Sequence, residues 1–246
     1  MNCLVGTGLV GKQLQSFVDF DFIFNTKNSN QLLTIPDGLD LWLACPSGTK
    51  WKTNLDPNSD LFNCIDIYSK IKHKSWNKVH LFSSIDVYLH SPLGWCEEET
   101  PILPDIVDYA SNRRRFELLV ETLTYADLNI WRLPALFSSN FTKNVLWDLI
   151  HKHELYKINP QSHYQWYNLE WLESDMIQYH ESSRIFYNLF TEPVKTESII
   201  NLFDNRQCDG QNFTYYDWTT NLEEFGYIKA HDECVKSIQK FVHSWI

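Results

Sequence analysis

The sequence predicts an α/β protein built on a parallel sheet, with helices on both faces and a small C-terminal lobe. Two observations carry this. Short apolar runs alternate with segments of helical spacing through the first 134 residues, the order that builds a parallel sheet covered on both sides. The first run, Asn2 to Val5, enters a glycine turn of Gly6, Thr7, Gly8, Leu9, Val10 and Gly11 that opens a helical segment. A strand, glycine turn and helix in that order begin a βαβ unit.

Each element follows from local pattern. Lys12 to Val18 is predicted helical, with Leu9, Val10, Leu14 and Phe17 on its inner side. Phe20 to Phe24 is the second strand, and Leu39 to Cys45 the third, ended by Pro46, Ser47 and Gly48. Asp56 to Lys70 has helical spacing, Val79 to Ser84 reads as a strand, and residues 89–107 form an acidic loop rich in Pro and Gly. Tyr109 to Ala126 is a long helix with Phe116, Leu119, Val120 and Leu123 as its stripe. Leu128 to Leu133 is a strand stopped by Pro134. Beyond it, 143–153 and 168–180 read as helices, 198–203 as a strand and 232–246 as a final helix. The expected division is a first domain over 1–134 and a substrate-facing lobe over 135–246, with 168–205 returning to the sheet.

Composition narrows the function. A hydrophobic share of 43% in 246 residues supports a sizeable core. The formal net charge of -10 repels phosphate backbones, so nucleic acid is not expected as a partner. None of the six cysteines lies in a Cys-x-x-Cys pair, so no metal site is expected. Reduced thiols and the lack of a secretory pattern suit the cytoplasm. No apolar run reaches roughly 18 residues, so no membrane span is expected. A second copy of the chain is the protein partner compatible with this reading.

The glycine turn carries the first chemistry. A dinucleotide pyrophosphate must approach the backbone where the helix starts, and side chains there would block it. Gly6 would allow the tight turn, Gly8 the close approach, and Gly11 the packing of helix on strand. An acid at the end of the second strand would bind a ribose 2′-hydroxyl and favour NAD. This chain has Asn25, Thr26 and Lys27 there. Lys27 could meet a 2′-phosphate, so NADP is slightly favoured over NAD. Ala44, Pro46, Ser83 and Leu133, at strand ends, complete the expected cofactor contacts.

The second constellation is Ser84, Tyr109 and Arg113. Tyr109 and Arg113 are four apart on a helix and share a face. A tyrosine has a free pKa of about 10, and a fixed cation beside it favours the phenolate. A serine hydroxyl can hold the reacting oxygen while the tyrosine moves a proton and a cofactor moves a hydride.

Four stretches occur in order: the glycine turn, Phe82-Ser-Ser-Ile-Asp-Val-Tyr88, Tyr109-Ala-Ser-Asn-Arg113, and Ile130-Trp-Arg-Leu-Pro-Ala-Leu-Phe137. Together they resemble the extended short-chain dehydrogenase/reductase family of nucleotide-sugar epimerases, dehydratases and reductases. The resemblance covers residues 2 to about 139, and more loosely 164–176. It implies that Ser84 and Tyr109 are catalytic and that Arg113 stands in for the family lysine. It implies an acid or base role for Asp86, as in the dehydratase branch, and a nucleotide-sugar substrate. Lys50, Ser84, Lys143, Asn144, Gln165 and Tyr167 are the expected substrate contacts, with Trp166 or Tyr167 suited to stacking on a base. The chain departs from the family in Arg113, in a glycine turn one residue shorter, and in Ser138 where a glycine is usual. Reduction, epimerisation and dehydration all remain open. So does a catalytically silent protein that binds a dinucleotide or senses redox state.

Overall fold

The glycine turn and the two helix starts at Asp56 and Asp108 fix the frame of the first half of the chain. The computed structural model describes residues 1–245. In chain order its elements are β1 (Asn2–Val5), α1 (Leu9–Leu14), β2 (Phe22–Phe24), β3 (Leu39–Leu43), α2 (Lys50–Leu55), α3 (Pro57–Ile71), β4 (Ser75–Ser84), α4 (Tyr109–Glu121) and β5 (Thr124–Leu133). They continue with β6 (Ala135–Phe137), α5 (Val145–His151), β7 (His163–Asn168), α6 (Leu172–Tyr179), β8 (Phe186–Asn188), β9 (Pro193–Lys195), α7 (Thr196–Ile200) and α8 (His231–His243).

Two compact units result. The first holds residues 1–92, 99–132 and 177–187; the second holds 93–98, 133–176 and 188–246. The first unit contains a six-stranded sheet in the order β2-β1-β3-β4-β5-β8. The pairs β1 with β2, β1 with β3 and β3 with β4 are parallel. This is the Rossmann-type α/β architecture that the alternation of elements predicts.

Local chemistry explains the helix starts. Asp56 accepts from the Ser59 amide at 3.1 Å, and Pro57 takes the first position of α3. Asp108 accepts from the Ser111 amide at 2.7 Å and so opens α4 at Tyr109. One face of the sheet buries Leu41, Leu43, Val79, Leu81 and Ile130 with Cys64 and Ile71 of α3 and Phe116 and Val120 of α4. The side chains that alternate with these in β3, β4 and β5 form a different layer. Trp42 stacks on its cross-strand neighbour His80 with centroids 4.1 Å apart, and Trp131 stacks on Tyr187 at 4.1 Å. The Trp131 indole donates to His80 Nδ1 at 3.2 Å, and burial pushes the His80 imidazole down to about 3. Removing water from a ring of this size stabilises the fold by about 1.5–3 kcal/mol.

The second unit has a three-stranded sheet in the order β6-β7-β9. Here β6 and β7 are parallel, and β7 and β9 antiparallel. The segment 198–203, predicted as a strand, is instead helical through Ile200 and then turns. Its buried residues Ile199 and Phe203 are four apart, which is helical spacing. The strand β7 has no predicted counterpart, because Gln165, Trp166 and Tyr167 are buried in succession and leave no alternation to read. Among the described residues no helix is long and apolar enough to cross a membrane.

Candidate active site

The three glycines of the turn occupy different situations. Gly6 has φ of 109°, and a Cβ there would lie 2.3 Å from the Ala44 carbonyl oxygen. A Cβ on Gly11 would lie 1.9 Å from the Gly6 oxygen. The chain itself therefore requires both. Gly8 is exposed, its backbone is ordinary (φ -75°, ψ -158°), and a Cβ there would meet nothing within 4 Å. Folding makes no demand for glycine at position 8, and the space before it is open to a ligand.

The end of β2 lies against this turn, since the Gly6 amide donates to the Phe24 oxygen at 2.8 Å. The next residues are pinned by their own side chains. The Asn25 amide donates to Asn28 Oδ1 at 2.7 Å, and the Lys27 amide to Asn25 Oδ1 at 2.9 Å. Thr26 and Lys27 are exposed. On the other side, the Ala44 amide donates to the Val5 oxygen at 2.9 Å, which sets Pro46 two residues beyond the turn's flank.

The first unit also assembles Ser84, Asp86, Lys50, Tyr109 and Arg113. Ser84 ends β4, and its hydroxyl accepts from the Asp86 amide at 3.2 Å and lies 3.4 Å from Asp86 Oδ2. Lys50 of α2 bonds Asp86 Oδ1 at 2.6 Å. Tyr109 sits at the first turn of α4, its amide donating to Asn54 Oδ1 at 3.1 Å. The Ser84 hydroxyl is near enough to the Tyr109 phenol to act on its titration. The Arg113 guanidinium lies 4.9 Å from the Tyr109 ring centroid.

The electrostatics of the phenol differ in one respect from the simple expectation for a tyrosine beside a cation. Burial is the largest influence and pushes Tyr109 up to about 12. Arg113 and the Ser84 hydroxyl pull it down, whereas Asp86 and Asp60 push it up. Arg113 is not a lone cation. It pairs with Asp60 of α3, which also accepts from Asn112 Nδ2 at 3.0 Å. No spacing rule links residues this far apart in sequence, so Asp60 is a site residue that sequence reading misses.

Arg113 is 5% exposed, yet its Nε and Nη1 have no hydrogen-bond partner. Buried donors without acceptors are rare and cost free energy. A ribose diol supplies acceptors of the right kind. The open approach to Gly8 and the unmatched donors of Arg113 both fit a bound dinucleotide.

Other expected contacts are engaged in the protein's own frame. The Ser83 hydroxyl donates to Glu117 at 2.6 Å. In the second unit Leu133 is buried at the end of β5, and Lys143 is half-buried before α5. Asn144, at φ of 100°, caps α5 by accepting from the Trp147 amide at 3.1 Å and donates to the Leu136 oxygen at 2.7 Å. The Gln165 amide donates to the Thr191 and Trp218 oxygens at 2.7 and 2.8 Å. Tyr167 donates to Asp175 at 2.7 Å.

The chain shares its fold with solved epimerases and reductases of nucleotide-linked sugars. Solved structures match it along its whole length. A UDP-N-acetylglucosamine 4-epimerase from Methanobrevibacter ruminantium, in complex with UDP-N-acetylmuramic acid, is 15% identical, with a TM-score of 0.70 covering 99% of this chain and 97% of that one. A dTDP-4-dehydrorhamnose reductase from Bacillus anthracis, in complex with NADP, is 13% identical, with a TM-score of 0.72 covering 100% and 99%. A UDP-glucose 4-epimerase from Thermus thermophilus, in complex with NAD, is 11% identical, with a TM-score of 0.70 covering 100% of both chains. No family model and no curated protein matches the chain by sequence.

Proposed function

We propose that the chain is an NAD(P)-dependent oxidoreductase or epimerase acting on a nucleotide-linked sugar. The observation that carries this is the Tyr109 ring held under Arg113, an arginine whose buried Nε and Nη1 lack acceptors, with the Ser84 hydroxyl acting on the phenol. When bound, the nicotinamide supplies the hydride chemistry. Tyr109 Oη carries the proton of the substrate oxygen, and Ser84 Oγ holds that oxygen by a hydrogen bond. Arg113 braces the phenol ring and offers its free edges to the ribose hydroxyls. Lys50 fixes the Asp86 carboxylate beside Ser84. Of the expected contacts in the second unit, we keep Lys143 for the substrate. Asn144, Gln165 and Tyr167 we assign to holding that unit together.

Two measurements test the cofactor reading. Gly8→Val is expected to abolish binding of NAD and NADP in calorimetry while the melting temperature stays near that of the parent. The new Cβ meets no protein atom within 4 Å, and the branched side chain fills the approach to the turn. Equal binding by parent and variant would overturn the assignment.

Lys27→Ala is expected to weaken NADP and leave NAD nearly unchanged, because only NADP carries the 2′-phosphate. A parent that prefers NAD outright would transfer ribose recognition to Asn25 and the backbone around it.

A further inference from the structure

We propose that Asp60 is a positioning residue: it anchors one arm of Arg113, so that the Asp60–Arg113 pair together does what a lone lysine would do at position 113. The inference rests on the dinucleotide reading and goes beyond it to a residue outside every motif of the site.

The geometry is specific. A guanidinium has a flat face and five N–H donors on its edges, whereas a lysine ammonium is a compact point charge. In this chain Nη2 is spent on Asp60, the face lies over the Tyr109 ring, and Nε and Nη1 are left over. Asp60 is itself fixed, because Asn112 Nδ2 bonds both its Oδ2 and the Pro57 oxygen, at 3.0 and 2.8 Å. The carboxylate thus locks the orientation in which the face meets the phenol and Nε and Nη1 stay unspent. It also offsets part of the cation's effect, while Arg113 still lowers the phenol more than Asp60 raises it. The charged groups around the phenol are Arg113 on its own helix, Asp60 on α3, and Asp86 with Lys50 beyond β4 and on α2. Cys64 of α3 faces Arg113 as well.

A double-mutant cycle on the full chain reads this directly, using Asp60→Asn, Arg113→Lys and the double variant. NADPH and NADH affinities come from calorimetry. The Tyr109 phenol is followed by phenolate absorbance, as the difference between each variant and the same variant carrying Tyr109→Phe. Each single variant should weaken dinucleotide binding roughly tenfold, and the double variant should lose far less than the product of the two losses. Independently of any ligand, Asp60→Asn should move the Tyr109 titration to lower pH, because the raising influence of Asp60 is gone and Arg113 acts alone. A residue that merely supports the fold would lower the melting temperature and move neither the coupling nor the phenol. Independent losses together with an unmoved phenol would overturn the proposal. If Asp60→Asn does not fold, the double variant is expected to fold and bind; failure of both to fold would also overturn it, leaving the pair a structural ion pair only. A parent chain that binds no dinucleotide would sink the cofactor reading, while the phenol shift would still decide the role of Asp60.

Discussion

Tyr109→Phe is expected to lower turnover by roughly two to four orders of magnitude, the usual contribution of a placed acid or base. Dinucleotide affinity and melting temperature should stay near the parent's, since the ring and its contact with Arg113 remain. The assay is a panel of nucleotide-linked sugars in the oxidised and reduced directions, followed by nicotinamide absorbance. The pH profile adds a second test. The phenol is pushed up to about 12 mainly by burial, so its deprotonation should not limit the reductive direction at any pH below about 11. A parent that binds dinucleotide, turns over nothing in the panel and cannot be told from Tyr109→Phe in any binding measurement would be a silent binder. That result would replace catalysis with redox sensing.

Glu117→Gln is expected to cost about 3–5 kcal/mol, a large part of the 5–15 kcal/mol that holds a typical domain together. Glu117 is fully buried and receives both arms of Arg132, at 3.0 and 2.9 Å. Arg114 reaches it at 2.9 Å and the Ser83 hydroxyl at 2.6 Å. Arg132 extends the network to the Tyr88 hydroxyl at 2.6 Å. Neutralising the carboxylate leaves the buried Arg132 guanidinium without its counter-charge and leaves Arg114 with Glu121 alone. Burial alone would raise the Glu117 carboxyl, but Arg132, Arg114 and Ser83 outweigh it and hold the group below the usual carboxylate range. The folded state therefore binds this proton less readily than the unfolded chain, whose glutamates titrate near about 4.3. The stability is fully present above that value and is lost as pH falls through the folded-state value. Urea unfolding at pH 7 and at pH 3 should show the parent weakened by acid and Glu117→Gln much less sensitive. Equal acid sensitivity in both would remove Glu117 from the account of stability.

Much of this was readable in the sequence, for reasons that differ by element. The strands β1 and β3 are short apolar runs with turn residues beyond them, and α3 and α4 carry side-chain caps. Local rules suffice there. The long helix was read too far, to Ala126, whereas α4 ends at Glu121 and β5 begins at Thr124. Leu123 continues the helical spacing of Leu119 and Val120 even though the chain has turned after Glu121. In the site, Gly8, Ser84, Tyr109 and Arg113 lie within motifs whose spacing carries meaning. Asp60 and Glu117 do not: a buried carboxylate is recognisable only by the cation it meets, and both meet theirs through packing. The same packing explains why the expected substrate contacts Asn144 and Gln165 turn to backbone groups in their own unit.

The way the chain threads its two units bears on how it can be cut. The first unit is completed only when residues 177–187 arrive, and the second takes in residues 93–98 long before most of its sequence follows. Glu97, in that early insertion, accepts from the Asn188 amide at 2.8 Å and the Asn221 amide at 2.9 Å. A fragment stopping after β5 would lack β8, leaving β5 as an uncovered sheet margin and Trp131 without the ring of Tyr187. Unpaired margins of this kind recruit other chains. During synthesis the sheet therefore waits on the ribosome for a strand more than fifty residues downstream, about ten seconds at the slower end of the usual 5–20 residues per second and about three at the faster. Truncated products of this gene should be insoluble as a rule, and neither half should be transferable to another protein as a module.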